Sequence, residues 1–240
     1  MKKLITMLFL LALTVSLNNK AFSQANSVSL NGSAIYSNIE DAYNAITPAF
    51  ATPQLIEILP AYDGSTELFP ITLNLIAGTS TITIRPQAGN NGEIVTSSNT
   101  SYLFYLGTCK NVIIDGRPGG VTSTSANYLT INNTGAGGNA GTVAFYGADN
   151  CILRYTNNVA TLGTLASTGA RNINIAGVTA NTSNSNIIEN CVVRGGLRGI
   201  QNFGLDASTV LVRRKMEFPF FDLGRSYCFS DFNSVVSCLL

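Results

Sequence analysis

The stretch Asn111-Val-Ile-Ile-Asp115 decides the fold, because its pattern of one polar residue, three apolar residues and one charge returns three times. The copies are Asn150-Cys-Ile-Leu-Arg154, Asn190-Cys-Val-Val-Arg194 and Thr209-Val-Leu-Val-Arg213. Their first residues lie 39, 40 and 19 positions apart. A motif that returns at about one or two times 20 residues indicates stacked structural repeats rather than a closed globular core. We therefore predict coils of ~20 residues.

The composition indicates an all-β protein. Charged residues make up only 11% of the chain, and Asn, Thr, Ser and Gly separate short apolar runs. These are residues of strands and turns. Strand candidates end at glycine corners in two matching units, Tyr102-Leu-Phe-Tyr-Leu-Gly107 and Val143-Ala-Phe-Tyr-Gly147. No long amphipathic helix is predicted between strands, which argues against a doubly wound α/β sheet.

The N-terminus has the pattern of a signal peptide. Lys2 and Lys3 precede an apolar run, residues 4–17, and Ala21-Phe22-Ser23 supplies small residues before a cleavage site. We predict a signal peptide at residues 1–23 and an exported chain. The apolar run is short for a membrane span, and no later stretch approaches the ~20 apolar residues that a span needs.

The rest of the chain divides into three predicted regions. Residues 24–54 form an N-terminal cap region, in which Ser37-Asn-Ile-Glu40 is a capping box that opens a short helix. Residues 55–213 form the coils. Residues 214–240 are an atypical tail rich in phenylalanine, either an aromatic cap or out-of-frame translation after a deletion, and we favour the second. On that interpretation the chain is an aggregation-prone fragment; otherwise we expect a monomer.

Strand alternation assigns a direction to each position of the repeat. The second and fourth residues face the core, while the first, third and fifth face outward. Cys151 and Cys191 share the second position, so we expect core thiols and no disulfide.

The fifth position defines the candidate ligand-facing ladder, which consists of Asp115, Arg154, Arg194 and Arg213. Two hypotheses follow for these residues. They are solvated charges that keep a strand surface soluble, or they are a cationic ladder that holds the carboxylates or sulfates of an acidic glycan.

The chain offers little catalytic chemistry. It contains no histidine, which removes Ser-His-Asp and Cys-His sites and makes a zinc site improbable. Without Lys2, Lys3 and Lys20 of the leader, 11 basic residues face 13 acidic ones, and this balance argues against nucleic acid as a partner. We expect no catalytic residues, no metal and no cofactor.

Two further motifs resemble a known family. Ile114-Asp-Gly-Arg-Pro-Gly-Gly120 and Leu129-Thr-Ile-Asn-Asn133 are similar to segments of secreted right-handed parallel β-helix proteins of the pectate-lyase-like superfamily. The resemblance covers Ser27 to Arg213 and points to surface proteins of Gram-negative bacteria, which commonly end in a sorting domain for type IX secretion. It implies a single-stranded right-handed solenoid with a short N-terminal capping helix. The absence of a sorting domain here suggests an N-terminal fragment.

We therefore expect a non-enzymatic structural or adhesive protein, secreted or at the cell surface, or periplasmic if truncated. Its expected partners are extracellular polysaccharide or surface proteins. The alternative is a polysaccharide lyase or glycoside hydrolase that acts on acidic polysaccharide. The resemblance implies calcium only for the lyase, whose relatives hold it with acidic side chains.

Overall fold

The computed structural model describes residues 27–47, 49–74, 78–90, 92, 94–121, 129–161, 171–177, 183–196, 198–203, 210–213, 229–231 and 236–238. The predicted signal peptide lies outside these residues. Of the predicted tail, only two short strands are described.

The described part begins with strands β1 (Val28–Leu30) and β2 (Ala34–Tyr36), followed by helix α1 (Ile39–Asn44) and strand β3 (Gln54–Ile58). The later strands are β4 (Ile71–Asn74), β5 (Ile82–Pro86), β6 (Ile94–Ser97), β7 (Tyr102–Gly107), β8 (Val112–Asp115), β9 (Leu129–Asn133), β10 (Gly141–Tyr146), β11 (Ile152–Arg154), β12 (Thr156–Ala160), β13 (Arg171–Ala176), β14 (Asn186–Glu189), β15 (Val192–Arg194), β16 (Arg198–Phe203), β17 (Val210–Arg213), β18 (Phe229–Asp231) and β19 (Val236–Cys238). A 3-10 turn at Pro118–Gly120 follows β8. The all-β prediction is confirmed.

These strands form three sheets. The first sheet has the order β19-β17-β14-β11-β8-β5-β3-β1-β2, the second β18-β16-β13-β10-β7-β4, and the third β15-β12-β9-β6. From β5 to β16 the chain visits the first, third and second sheets in turn. Strand β1 pairs antiparallel with β2 and β3, and the later pairings are parallel. This topology is compatible with a parallel β-solenoid.

The coils are longer than the sequence predicted. Residues paired between neighbouring coils of the first sheet are 28, 30, 39, 35 and 24 positions apart, from Gln54 with Ile82 to Ile187 with Leu211. The predicted period of ~20 residues is therefore wrong. A complete turn needs up to three strands and their corners, and the corners vary in length while the strands stay in register.

The core is a set of columns of apolar side chains. In the first sheet Ile56, Ile84, Ile114, Leu153 and Ile188 occupy equivalent positions of successive strands, and each is fully buried. Burying one such side chain stabilises the fold by about 1.5–3 kcal/mol. Cys151 and Cys191 are also fully buried, which confirms their predicted place in the core.

Helix α1 packs at the N-terminal end of this stack. Its N-cap is Asn38, whose side-chain oxygen accepts the backbone N–H of Asp41 at 2.7 Å. The sequence predicted Ser37 as the N-cap, one residue earlier, and Glu40 as its partner in a capping box. In the structure the Glu40 carboxylate accepts the backbone N–H of Thr72 in β4 at 3.0 Å. The Tyr43 hydroxyl donates to the carbonyl of Asn74 at 2.6 Å. These two bonds fasten the helix to β4.

A buried carboxyl group completes the attachment. Glu67 Oε1 accepts the backbone N–H of Ile39 at 2.7 Å and the hydroxyl of Tyr62 at 3.0 Å. Burial raises the pKa of Glu67 to about 7; the two hydrogen bonds lower it, and the charges of Glu40 and Asp41 raise it further. Glu67 therefore links the start of α1 to the loop before β4.

Candidate functional site

The structure brings three of the four predicted ladder residues into one column of the first sheet. Asp115 pairs with Arg154, Arg154 pairs with Glu189, and Glu189 pairs with Arg213. Glu57 and Arg85 occupy the same position in the two strands before β8. We call the column of Glu57, Arg85, Asp115, Arg154, Glu189 and Arg213 the charge column; its signs alternate from coil to coil.

Described side chains of this column form ion pairs between neighbouring strands. Arg85 Nη2 is 3.0 Å from Glu57 Oε1, and Arg154 Nη2 is 2.9 Å from Asp115 Oδ2. Arg154 Nη1 is also 3.9 Å from Glu189 Oε1. Because these guanidinium groups already have carboxylate partners, the geometry favours a structural role over the hypothesis of a cationic ladder.

Asp115 is the exception to the predicted alternation, since its side chain is only 1% exposed. Arg117, two residues on, folds back and places Nη2 2.7 Å from Asp115 Oδ2, and its guanidinium stacks 4.4 Å above the Tyr155 ring. Burial alone would raise the pKa of Asp115, but hydrogen bonds from Arg117 and the charges of Arg117 and Arg154 lower it below its usual value. The carboxylate therefore stays ionised.

Arg194 does not join the column. It lies in β15 of the third sheet, paired with Val159, and its side chain is exposed. The predicted ladder therefore does not include Arg194, because Asn190 occupies a different corner from Asn111 and Asn150. Asn190 and Tyr155 turn the chain from the first sheet to the third with positive φ of 51° and 53°.

A second surface has the features of a ligand site. It lies on the outer side of the second sheet and consists of Tyr102, Tyr105, Tyr146, Asn174 and Gln201, which we call the tyrosine–amide face. Tyr105, Ala144, Asn174 and Gln201 occupy equivalent positions of strands β7, β10, β13 and β16. Their chain neighbours, such as Ile173 and Ile175 around Asn174, fill the core. Alternation therefore directs this column away from the core.

Two of the three tyrosine rings of this face are stacked, and the third is tilted against one of them. The Tyr105 and Tyr146 ring centroids are 5.2 Å apart with an interplanar angle of 19°, and Tyr102 lies 6.4 Å from Tyr146 at 59°. Gly107, paired with Tyr146, makes the stack possible. A Cβ atom on Gly107 would lie 2.6 Å from Tyr105 Cε1. Both stacked rings are half-buried and so keep part of their surface open.

Two amide oxygens near these rings have no partner. Asn174 Nδ2 donates to the Tyr146 hydroxyl at 3.1 Å. Among the described residues, neither Asn174 Oδ1 nor Gln201 Oε1 has a hydrogen-bond partner, although both atoms are buried. A buried acceptor without a donor costs about 1–3 kcal/mol. A donor that reached either oxygen would offset this cost, but the surrounding side chains would have to move first because both atoms are buried.

Tyr102 and Tyr105 of the face remain neutral. Burial and the neighbouring Tyr146 raise the pKa of Tyr102 to about 12, although Arg171 acts in the opposite direction. Burial and Tyr146 also raise the pKa of Tyr105. A set of neutral phenols and amides can bind polar, uncharged groups through stacking and hydrogen bonds.

Metal sites and membrane-spanning helices are both absent from the described part of the chain. No group of three or more His, Cys, Asp or Glu residues there could hold a metal ion. Within the same residues, no helix has the length and hydrophobicity to cross a membrane. Comparisons with protein-family models, curated proteins and solved structures gave no match.

The tyrosine–amide face was not predicted from sequence. Both stacked tyrosines belong to the matching strand–glycine units, but those units were aligned glycine to glycine. The structure pairs Gly107 with Tyr146 instead. The spacing of the two units could have revealed this register. Four positions separate Gly107 from Asn111, whereas three separate Gly147 from Asn150, so aligning the asparagines places Tyr146 opposite Gly107.

Proposed function

We propose that this chain is an exported, non-enzymatic β-helix protein with a structural or adhesive role, which binds extracellular carbohydrate through the tyrosine–amide face. The observation that carries the proposal is the stacked pair Tyr105–Tyr146 beside the unpartnered amide oxygens of Asn174 and Gln201. Aromatic rings with a few convergent polar groups are common in ligand sites. Sugar rings present apolar faces and hydroxyl donors, which suit this combination.

The finer description of the fold is part of the same proposal. We infer a right-handed, single-stranded helix, because connections between parallel strands of one sheet are right-handed in about 98% of cases. The resemblance of Ile114 to Gly120 and of Leu129 to Asn133 to the pectate-lyase-like superfamily supports the same choice. Export is supported by the signal-peptide pattern of residues 1–23, and we place the protein at the surface of a Gram-negative cell.

The ligand is expected to be a neutral polysaccharide. The five side chains of the face are phenols and amides, with Arg171 beside Tyr102, whereas Arg85 and Arg154 of the charge column are engaged with carboxylates. An acidic glycan would have to compete with Glu57, Asp115 and Glu189 for those arginines. Binding to the tyrosine–amide face should therefore change little with salt concentration.

The proposal is tested by calorimetric titration with neutral and uronate-rich oligosaccharides. Tyr105→Ala and Tyr146→Ala should each weaken binding by about tenfold, which corresponds to ~1.4 kcal/mol. Tyr36→Ala is the matched control, because it removes a partly buried tyrosine from the antiparallel end of the first sheet. Equal binding by all three variants, or no binding by the wild-type chain, would overturn the proposal.

A second assay tests the absence of enzymatic activity. The purified protein is incubated with uronate polymers, with and without calcium, and the absorbance of unsaturated chain ends is followed. We expect no increase. A calcium-dependent increase would replace the adhesive proposal by the lyase alternative, and release of reducing ends without unsaturation would replace it by a hydrolase.

A further inference from the structure

Two buried thiols lie side by side in consecutive coils. Cys109 is in the corner between β7 and β8, and Cys151 is in the corner before β11. Their Sγ atoms are 3.6 Å apart, and both residues are fully buried. Although the sequence led us to expect no disulfide, this contact points the other way, and we propose that Cys109 and Cys151 form a disulfide that fastens these two coils together as the exported chain folds.

Among the described thiols of Cys109, Cys151 and Cys191, only the first two are in contact with each other. Cys191 lies in the corner between β14 and β15, where its Sγ is 3.3 Å from the Thr156 hydroxyl, and no thiol is hydrogen-bonded to it among the described residues. A disulfide requires an S–S distance of about 2.05 Å. The two sulfur atoms, which are 3.6 Å apart, would approach to this distance as the bond forms. The inference rests on the proposed export, since disulfides persist in oxidising compartments.

The bond forms by thiol–disulfide exchange with a small disulfide oxidant, for which oxidised glutathione is a suitable probe. One protein thiolate attacks the oxidant, forms a mixed disulfide and releases one glutathione thiolate. The second protein thiolate then attacks the protein sulfur of the mixed disulfide and releases the second glutathione. Both cysteine thiols lose their protons and are oxidised, and one oxidised glutathione is reduced to two thiols.

Burial determines when this reaction takes place. The hydrogen-bonded neighbour Cys151 and burial both raise the pKa of Cys109, so its reactive thiolate is scarce in the folded protein. The exchange therefore occurs while the coils assemble. Once the core has closed, the same burial protects the bond from reducing agents.

The position of the pair links it to the tyrosine–amide face. Tyr105 lies four residues before Cys109, and Tyr146 lies five residues before Cys151. A bond between the two corners would hold the ends of β7 and β10 at a fixed separation. These are the two strands that carry the stacked rings.

The test is refolding of the full chain from denaturant in a glutathione redox buffer, followed by peptide mapping without reduction. We expect a linked peptide pair containing Cys109 and Cys151, and three rather than five thiols titrated in denaturant. Oxidised glutathione added to protein that was folded in reduced form should produce the link much more slowly. Five titratable thiols after oxidative refolding, or a link that involves Cys191, Cys228 or Cys238, would overturn the inference.

Variants provide a second measurement. Reduction should lower the melting temperature of wild type and of the control Cys191→Ala by about 10 °C. It should leave Cys109→Ala and Cys151→Ala unchanged. If these two variants fail to fold, the peptide map of the wild-type chain still decides the question. A negative glycan titration would not affect this result, because the measured quantity is a covalent bond.

Discussion

Arg154 lies directly above Asp115 in the next coil, and its Nη2 is 2.9 Å from Asp115 Oδ2. Arg117 binds the same oxygen at 2.7 Å from within its own coil. One buried carboxylate therefore connects a strand to the strand above it and to the loop that follows it. An ionised group so enclosed is tolerated only because two guanidinium groups compensate its lost hydration.

Replacing this carboxylate should destabilise the protein. In Asp115→Asn the two arginines keep their burial but lose their anion, and we expect the free energy of unfolding to fall by about 3 kcal/mol. Urea denaturation followed by circular dichroism measures the change. The matched control is Asp149→Asn. The Asp149 carboxylate lies 3.5 Å from Lys110 Nζ, and the Lys110 side chain is more than half exposed. The control should cost less than about 1 kcal/mol; equal losses would show that Asp115 has no special role.

The same carboxylate should make stability sensitive to acid. Since the pKa of Asp115 is lower in the folded than in the unfolded chain, its contribution is present above the unfolded value of about 4 and is lost as the pH falls through the folded value. Wild type should therefore lose more stability between pH 5 and pH 2.5 than Asp115→Asn. Melting temperatures across this range provide the comparison, and parallel curves would refute the assignment.

Glu67 should act in the opposite direction. Its pKa of about 7 lies above the unfolded value of 4.5, so its contribution is complete below pH 4.5 and is lost as the pH rises through 7. The difference amounts to about 3 kcal/mol. Glu67→Gln, which keeps an acceptor for Ile39 and Tyr62, should remove this dependence and unfold at a higher temperature than wild type at pH 8. Asp149→Asn serves again as the control for lost negative charge, and an unchanged pH profile in Glu67→Gln would contradict the prediction.

Gly107→Ala should disturb the tyrosine stack. The added methyl group would lie 2.6 Å from Tyr105 Cε1 and 3.0 Å from Asn74 Oδ1, so the ring must move away from Tyr146. We expect glycan affinity to fall by about threefold to tenfold, with a loss of stability of about 1 kcal/mol. Gly138→Ala is the control, since no atom lies within 4 Å of its added methyl group. Titration and urea denaturation of both variants test the prediction, which fails if their affinities agree.

Asn150 tests the corner geometry. Its φ of 54° lies in the left-handed region, and its side chain is exposed. Asn150→Val should lower the free energy of unfolding by about 1–2 kcal/mol, because a β-branched residue is strained there, whereas Asn150→Gly should be nearly neutral. Denaturation curves of the two variants provide the measurement. Equal stability of the two would indicate that the corner relaxes.

The local features of this fold were predictable from sequence, and its coil register was not. Alternation correctly placed Val112, Ile114, Cys151 and Leu153 in the core, because a strand reverses its side chains at every residue whatever its surroundings. The corner that contains Asn150 and the corner that contains Asn190 look alike in sequence, since both need a residue that tolerates positive φ. Nothing in either pentapeptide says which sheet follows.

The same uncertainty hid the candidate site. The Tyr105–Tyr146 stack depends on which residue of β7 faces which residue of β10, and this depends on the summed lengths of the corners between them. The sequence alignment placed Gly147 opposite Gly107, whereas the structure places Tyr146 there. This difference of one residue decides whether Tyr105 and Tyr146 are recognised as a stacked pair. Asn174 and Gln201 meet through the same long-range pairing.

The alternating signs of the charge column bear on how the chain avoids mistakes during assembly. A chain that omitted one coil while stacking would bring Arg85 against Arg154, or Asp115 against Glu189. Like charges directly opposite each other on neighbouring strands are destabilising. The apolar columns cannot make this distinction, because isoleucine stacks on isoleucine in any order. The column therefore disfavours a stack in which one coil has been omitted, although the hydrophobic core alone would accept that stack.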